Sequence, residues 1–161
     1  MGKMMGKMKK FIIPALLIVA LLVPQLTFAK KTNPALQELN IIAVKLFEIS
    51  KELTKSNRYI FEKSATDMEE ARSIAILMGH LKNSSALCYM QHLMIFNVSS
   101  VNENTKSGLN YSEAVIRDSV TRIREARDGI ASETVKLILD QSIDKLEKAL
   151  QLISRCNKIV S

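Results

Sequence analysis

The chain has 161 residues, with 23 Lys and Arg against 16 Asp and Glu and a formal net charge of +7. Four of those lysines and no acid fall in the first 29 residues, so 19 basic and 16 acidic residues follow, a balance of only +3. No Lys or Arg run with interleaved aromatics occurs, which argues against nucleic-acid binding. The absence of Trp and the scarcity of Gly and Pro, beside many Leu, Ile, Ala, Glu and Lys, favour helices over strands.

Residues 1–29 read as a cleavable signal peptide. Lys3, Lys7, Lys9 and Lys10 form a basic start, Phe11 to Val23 is an apolar run, and Thr27-Phe28-Ala29 is a small-x-small cleavage site. At 13 residues the run is shorter than the roughly 20 needed to span a bilayer, so an uncleaved anchor is the weaker reading. Residues 30–161 are then one exported domain, periplasmic or secreted, with no stable membrane insertion after cleavage.

Lys30 to Thr32 is a short tail. Asn33 and Pro34 form an N-cap with proline at the first helical position, opening a helix expected to run to about Lys55. Leu39, Ile42, Leu46, Ile49 and Leu53 recur at spacings of three and four, the seam of a bundle helix. Glu48 with Lys51, and Glu52 with Lys55, are expected ion pairs on the wet side. Ser56-Asn57 is a break signal, and Tyr59, Ile60 and Phe61 after it are expected to close one end of the bundle.

A second helix is expected from Ser64 or Thr66, each heading a capping box with Asp67 or Glu69. Gly79 and Lys82 to Ser85 weaken its middle enough to kink or split it. Ile74, Met78, Leu81, Ser85, Cys88, His92 and Ile95 fall on one stripe and are expected to face the core, while His80 points away toward solvent. From Ala86 to Phe96 the helix is apolar nearly all round, which suggests self-association or a protein partner.

Asn97 to Asn110 reads as a loop, and Asn110-x-x-Glu113 as the cap of a third helix with Ile116, Val120 and Ile123 inward. Asp128-Gly129 is expected to end it with a C′ glycine. The fourth helix follows from Ser132, with Leu139, Ile143, Leu146, Leu150 and Ile153 as its seam. Glu113 with Arg117, Asp118 with Arg122 and Arg124 with Asp128 form a self-neutralised face. The expected fold class is all-α, an up-down-up-down four-helix bundle behind the signal peptide.

Chemistry concentrates on the second helix. Met90-x-His92-x-Met94, with Cys88 one turn before His92, is a soft ligand set suited to copper, but positions two apart on a helix diverge by about 200° and converge only in a kinked or unwound segment or with the help of a partner chain. Haem is the other cofactor a helical bundle could hold through His92, although Cys88 to His92 lacks the second cysteine of a covalent attachment motif. A buried, hydrogen-bonded core histidine is the plainer reading. Two cysteines in an exported chain suggest a Cys88–Cys156 disulfide, which requires the second helix to end early or the fourth to overhang so that the two sulfurs reach the same level. No di-iron Glu-x-x-His pair, nucleophile elbow, P-loop or dinucleotide fingerprint occurs, so the chain reads as a non-catalytic binding or interaction module, not an enzyme; the alternative is a copper or haem carrier.

Overall fold

Pro34 opens the first helix, where its missing N–H has no intrahelical acceptor to satisfy. The computed structural model describes residues 34–63, 67–96 and 103–161, which hold four helices and no strand. They are α1 (Pro34–Glu62), α2 (Met68–Phe96), α3 (Glu103–Arg127) and α4 (Glu133–Val160). The signal peptide, the Ser64 and Thr66 caps and the start of the Asn97 loop lie outside the described residues.

Contacts across the helices give their directions. Ala43 and Ser50 of α1 meet His92 and Ser85 of α2, so the numbering falls on one helix as it rises on the other. The same inversion relates Gln91 and His80 to Ser112 and Ser119. Arg124 and Arg127 of α3 likewise meet Glu147 and Asp140 of α4, and Arg155 of α4 closes the ring on Glu38 of α1. Every neighbouring pair is therefore antiparallel, which leaves α1 and α3 on one diagonal and α2 and α4 on the other.

The expected seams form the core. Leu39, Ile42, Leu46, Ile49 and Leu53 of α1 are buried, as are Ile116, Val120 and Ile123 of α3 and Leu139, Ile143, Leu146 and Ile153 of α4. Each fully buried Leu or Ile stabilises the fold by about 1.5–3 kcal/mol relative to an exposed one. Polar residues also enter the interior. The Ser85 hydroxyl lies 2.8 Å from both the Ser50 carbonyl and the Thr54 hydroxyl. The Gln91 amide donates to the Gly108 carbonyl at 3.1 Å and to the Ser112 hydroxyl at 2.8 Å.

Element boundaries depart from the sequence expectation in four places. α1 continues past Ser56-Asn57 to Glu62, because the Ser56 hydroxyl bonds back to the Glu52 carbonyl and Arg58 pairs with Glu62 without breaking the helix. Only Ile60 of the Tyr59-Ile60-Phe61 trio is buried; the two rings are exposed. α2 is a single helix, since Gly79 faces open space and Ser85 finds its acceptor on α1. α3 begins at Glu103, seven residues before the expected cap, and buries Thr105 and Leu109 in its first turns.

α3 ends at Arg127 as expected, but by a tight turn in which Gly129 and Ile130 donate to Ala126 and Arg127 carbonyls, and Gly129 does not take a left-handed φ. Asp67 caps α2 by accepting the Glu70 N–H at 2.8 Å, and Ser132 caps α4 by accepting from Val135. Glu70 is buried, and its Oε1 accepts from the backbone N–H groups of Ala131 and Ser132, at 3.0 and 3.3 Å. One carboxylate thus ties the start of α2 to the α3–α4 turn, at the positive end of the α4 dipole.

Ion pairs on the surface follow the sequence in part. Glu52 with Lys55, Glu113 with Arg117 and Asp118 with Arg122 pair as expected. Arg124 reaches across to Glu147 instead of Asp128, and Arg127 forks onto both oxygens of Asp140. Lys51 stands over the Phe47 ring, 5.5 Å from its centroid, not on Glu48.

Candidate functional site

The C-terminal half of α2 has no charged side chain from Asn83 to Phe96. Its inward positions, Ser84, Cys88, Gln91 and Ile95, are buried. Its outward positions carry apolar groups that remain in water: Tyr89 is 44% exposed, Met90 52%, Leu93 41% and Phe96 53%. Together they form an uncharged strip about 10 Å long, at 1.5 Å rise over seven residues. Isolated exposed apolar side chains are ordinary on a protein surface; a contiguous run is not.

His92 stands at the edge of this strip, in the groove between α1 and α2, and is half-buried instead of facing the core. The expected stripe therefore rotates outward at His92 and at Met78, which is also half-buried. Phe47 of α1 stacks on the imidazole with centroids 4.9 Å apart and planes 27° from parallel. Phe96 lies 5.6 Å away and Tyr89 6.1 Å, so the ring is held among three aromatic neighbours. Nδ1 of His92 is 3.1 Å from the Ala43 carbonyl oxygen. A carbonyl only accepts, so Nδ1 is the donor in this bond.

The four proposed copper ligands take different directions. Cys88 is in the core, His92 faces α1, Met90 points to solvent, and the Met94 methyl would lie 3.1 Å from a Cβ placed on Gly108 of α3. An unbroken helix keeps positions 90 and 94 on the side opposite 92, and the unwinding that would gather them does not occur. Among the described residues no group of three or more His, Cys, Asp or Glu could hold a metal ion. His80 is half-buried, not exposed, with Nδ1 3.5 Å from the Ser119 hydroxyl on α3.

The expected Cys88–Cys156 disulfide is corrected: both cysteines are buried free thiols, and they are not at bonding distance. The reason is geometric. The bridge needed α2 to end early or α4 to overhang, whereas α2 runs eight residues beyond Cys88, α4 only four beyond Cys156, and the two helices occupy one diagonal of the bundle. Burial pushes each thiol up to about 12, so neither is a thiolate at neutral pH.

A second concavity, a groove of about 710 Å³ between α1 and α4, is lined by Lys45, Glu48, Glu52, Lys145 and Lys148 over Ile49 and Leu152. Glu48 and Glu52 of α1 stand beside Lys145 and Lys148 of α4 there, the opposite-sign pattern of a solvated bundle flank. No protein-family model matches the chain, and no curated protein or solved structure shows significant similarity to it. Phe47 has no role in the sequence reading above, and Lys51 figures there only as a partner for Glu48. The signal for Phe47 is a second stripe on α1, Ala43, Phe47, Ser50 and Thr54 at spacings of four, three and four, which is the face turned to α2.

Proposed function

We propose that this chain is an exported helical bundle that acts by binding, not by catalysis, through the uncharged strip on α2. The leader-like first 29 residues support export to the periplasm or beyond. Among the described residues no helix is long and apolar enough to cross a membrane. The single observation that carries the reading is the contiguous exposure of Tyr89, Met90, Leu93 and Phe96 on a rigid, four-helix frame. Burying such a strip against a second surface recovers about 25 cal/mol for each Å² of apolar area removed from water, a gain that a solvated face forgoes.

Light scattering coupled to size exclusion tests the proposal on the purified protein. Association that is concentration-dependent and lost in Met90→Asp or Leu93→Asp is the expected result. A strict monomer that these substitutions leave unchanged in surface-dye binding removes the argument.

A further inference from the structure

We infer that the α2 strip seats the same strip of a second copy of this chain, the two helices running antiparallel about a two-fold axis at the level of Gln91, an assignment that rests on the binding reading above and names its occupant. Ala86, Tyr89, Leu93 and Phe96 are all exposed and recur at spacings of three, four and three. They form a second seam, on the outer side of a helix whose inner seam the bundle already fills. In an antiparallel pair centred at residue 91, Leu93 of each copy meets Tyr89 of the other, and Phe96 meets Ala86. Bulk faces space at both ends, which is the self-complementarity that a two-fold contact requires.

Charge selects the direction. From Ala71 to Phe96 the only charged side chains of α2 are Arg72 and Lys82, both exposed and both basic. A parallel pairing along this helix would set Lys82 against Lys82 and Arg72 against Arg72, and like charges brought together across an interface are strongly unfavourable. The antiparallel pairing overlaps only residues 86–96, where no charge stands, and carries each Lys82 past the end of the other copy's strip.

The area is sufficient for two copies. Met94, 36% exposed, lies on the side of the strip nearest Gly108 of α3. Gln91 bonds to Ser112, so the neighbouring Tyr111, 64% exposed, stands level with Met90 and extends the apolar surface onto α3. Taking about 200 Å² for a fully exposed large side chain, the strip with Met94 and Tyr111 offers about 600 Å² per copy and about 1,200 Å² across the pair. A specific interface needs roughly 1,000 Å² or more, so the strip meets that requirement when it is doubled by symmetry.

The test follows sedimentation equilibrium of protein expressed from the full sequence and purified as the cell accumulates it. A monomer–dimer equilibrium is expected. Leu93→Asp and Tyr89→Lys should each weaken the dimer about a hundredfold with unchanged circular dichroism, because each sets two unpaired charges in an apolar contact. Mixing the two folded variants should restore a dimer with one chain of each, since the new carboxylate then faces the new ammonium while the second Leu93–Tyr89 contact is native. A parallel pairing gives no such rescue. Ala86→Arg changes an exposed position that the single bundle does not use, and should weaken the dimer about tenfold by filling the seat of Phe96. Ala86→Cys should not cross-link to itself on oxidation, because about 15 Å of helix separates the two positions. Wild-type protein that stays monomeric at its highest soluble concentration overturns the inference, as does a mixture of the two charge variants that stays monomeric, or efficient self-cross-linking of Ala86→Cys. Binding of an apolar dye separates this inference from the reading beneath it. If the wild type is monomeric but binds the dye at a site that Leu93→Asp removes, only the second copy falls; if the dye ignores that substitution, the binding face falls with it.

Discussion

Replacing Glu70 by alanine removes the one side chain that joins the start of α2 to the α3–α4 turn. Its carboxylate is buried and accepts two backbone N–H bonds at 3.0 and 3.3 Å. A hydrogen bond to a charged group contributes about 1.5–3 kcal/mol, and two bonds that share one oxygen contribute less than twice that. Loss of the charge near the α4 N-terminus costs a further ~0.3–1 kcal/mol, and water reaching the exposed Ala131 returns part of the total. The expected destabilisation is about 3 kcal/mol, or roughly a 10 °C fall in Tm for a domain of this size. Glu69→Ala is the control, because Glu69 shares the first turn of α2 but is exposed and makes no such bonds. Its substitution should cost under about 1 kcal/mol. Urea unfolding followed by circular dichroism gives both values, and hydrogen exchange at the Ala131 and Ser132 amides should accelerate only in Glu70→Ala. Equal unfolding midpoints for the two variants would refute the reasoning.

Arg127 holds the Asp140 carboxyl below its ordinary range through a forked hydrogen bond, so this contribution to stability is present above the unfolded carboxyl's titration near pH 4 and is lost as pH falls through the depressed value. The stability gap between wild type and Asp140→Asn, measured by denaturant titration at several pH values, should be constant near neutrality and close below about pH 4. Gly79→Ala adds a methyl where nothing lies within 4 Å, in the middle of α2, and should raise stability by about 0.8–1 kcal/mol in thermal melts. Mass spectrometry should find both Cys88 and Cys156 alkylated by iodoacetamide in unreduced denaturant and protected in the native state, since each thiol is buried and raised to about 12. A blocked pair in unreduced denaturant would contradict the free thiols.

Hydrophobic spacing made the four helices and most of the core legible, since Leu39 to Leu53 on α1 and Leu139 to Ile153 on α4 are inward as their three-four rhythm requires. Breaks were harder to read. Ser56-Asn57, Gly79 and Ser107-Gly108 are weak helix formers, yet each is helical, because packing against neighbours outweighs a local preference worth under about 1 kcal/mol. His92 was placed on the core stripe by its spacing from Cys88, but it lies about 40° round the helix from that cysteine, enough to turn it into the groove with Phe47. The pairing of Glu70 with residues 131 and 132, sixty positions away, had no local signature. The same is true of Arg124 with Glu147: a sequence-local partner at Asp128 competes with a distant one that only the bundle brings near.

Apolar seams alone permit one helix to slide past another by a turn, because Leu meets Leu again after each repeat. Gln91 removes that freedom between α2 and α3. If α3 slipped by four residues, Ser112 would take the place of Gly108 and Ile116 the place of Ser112, leaving one amide N–H against a methyl group. A stranded buried donor costs about 1–3 kcal/mol, a penalty the aligned register avoids. The bond thus acts as a vernier mark on an otherwise smooth scale, fixing where α3 stands along α2 and, through the short turn that Glu70 holds, where α4 begins.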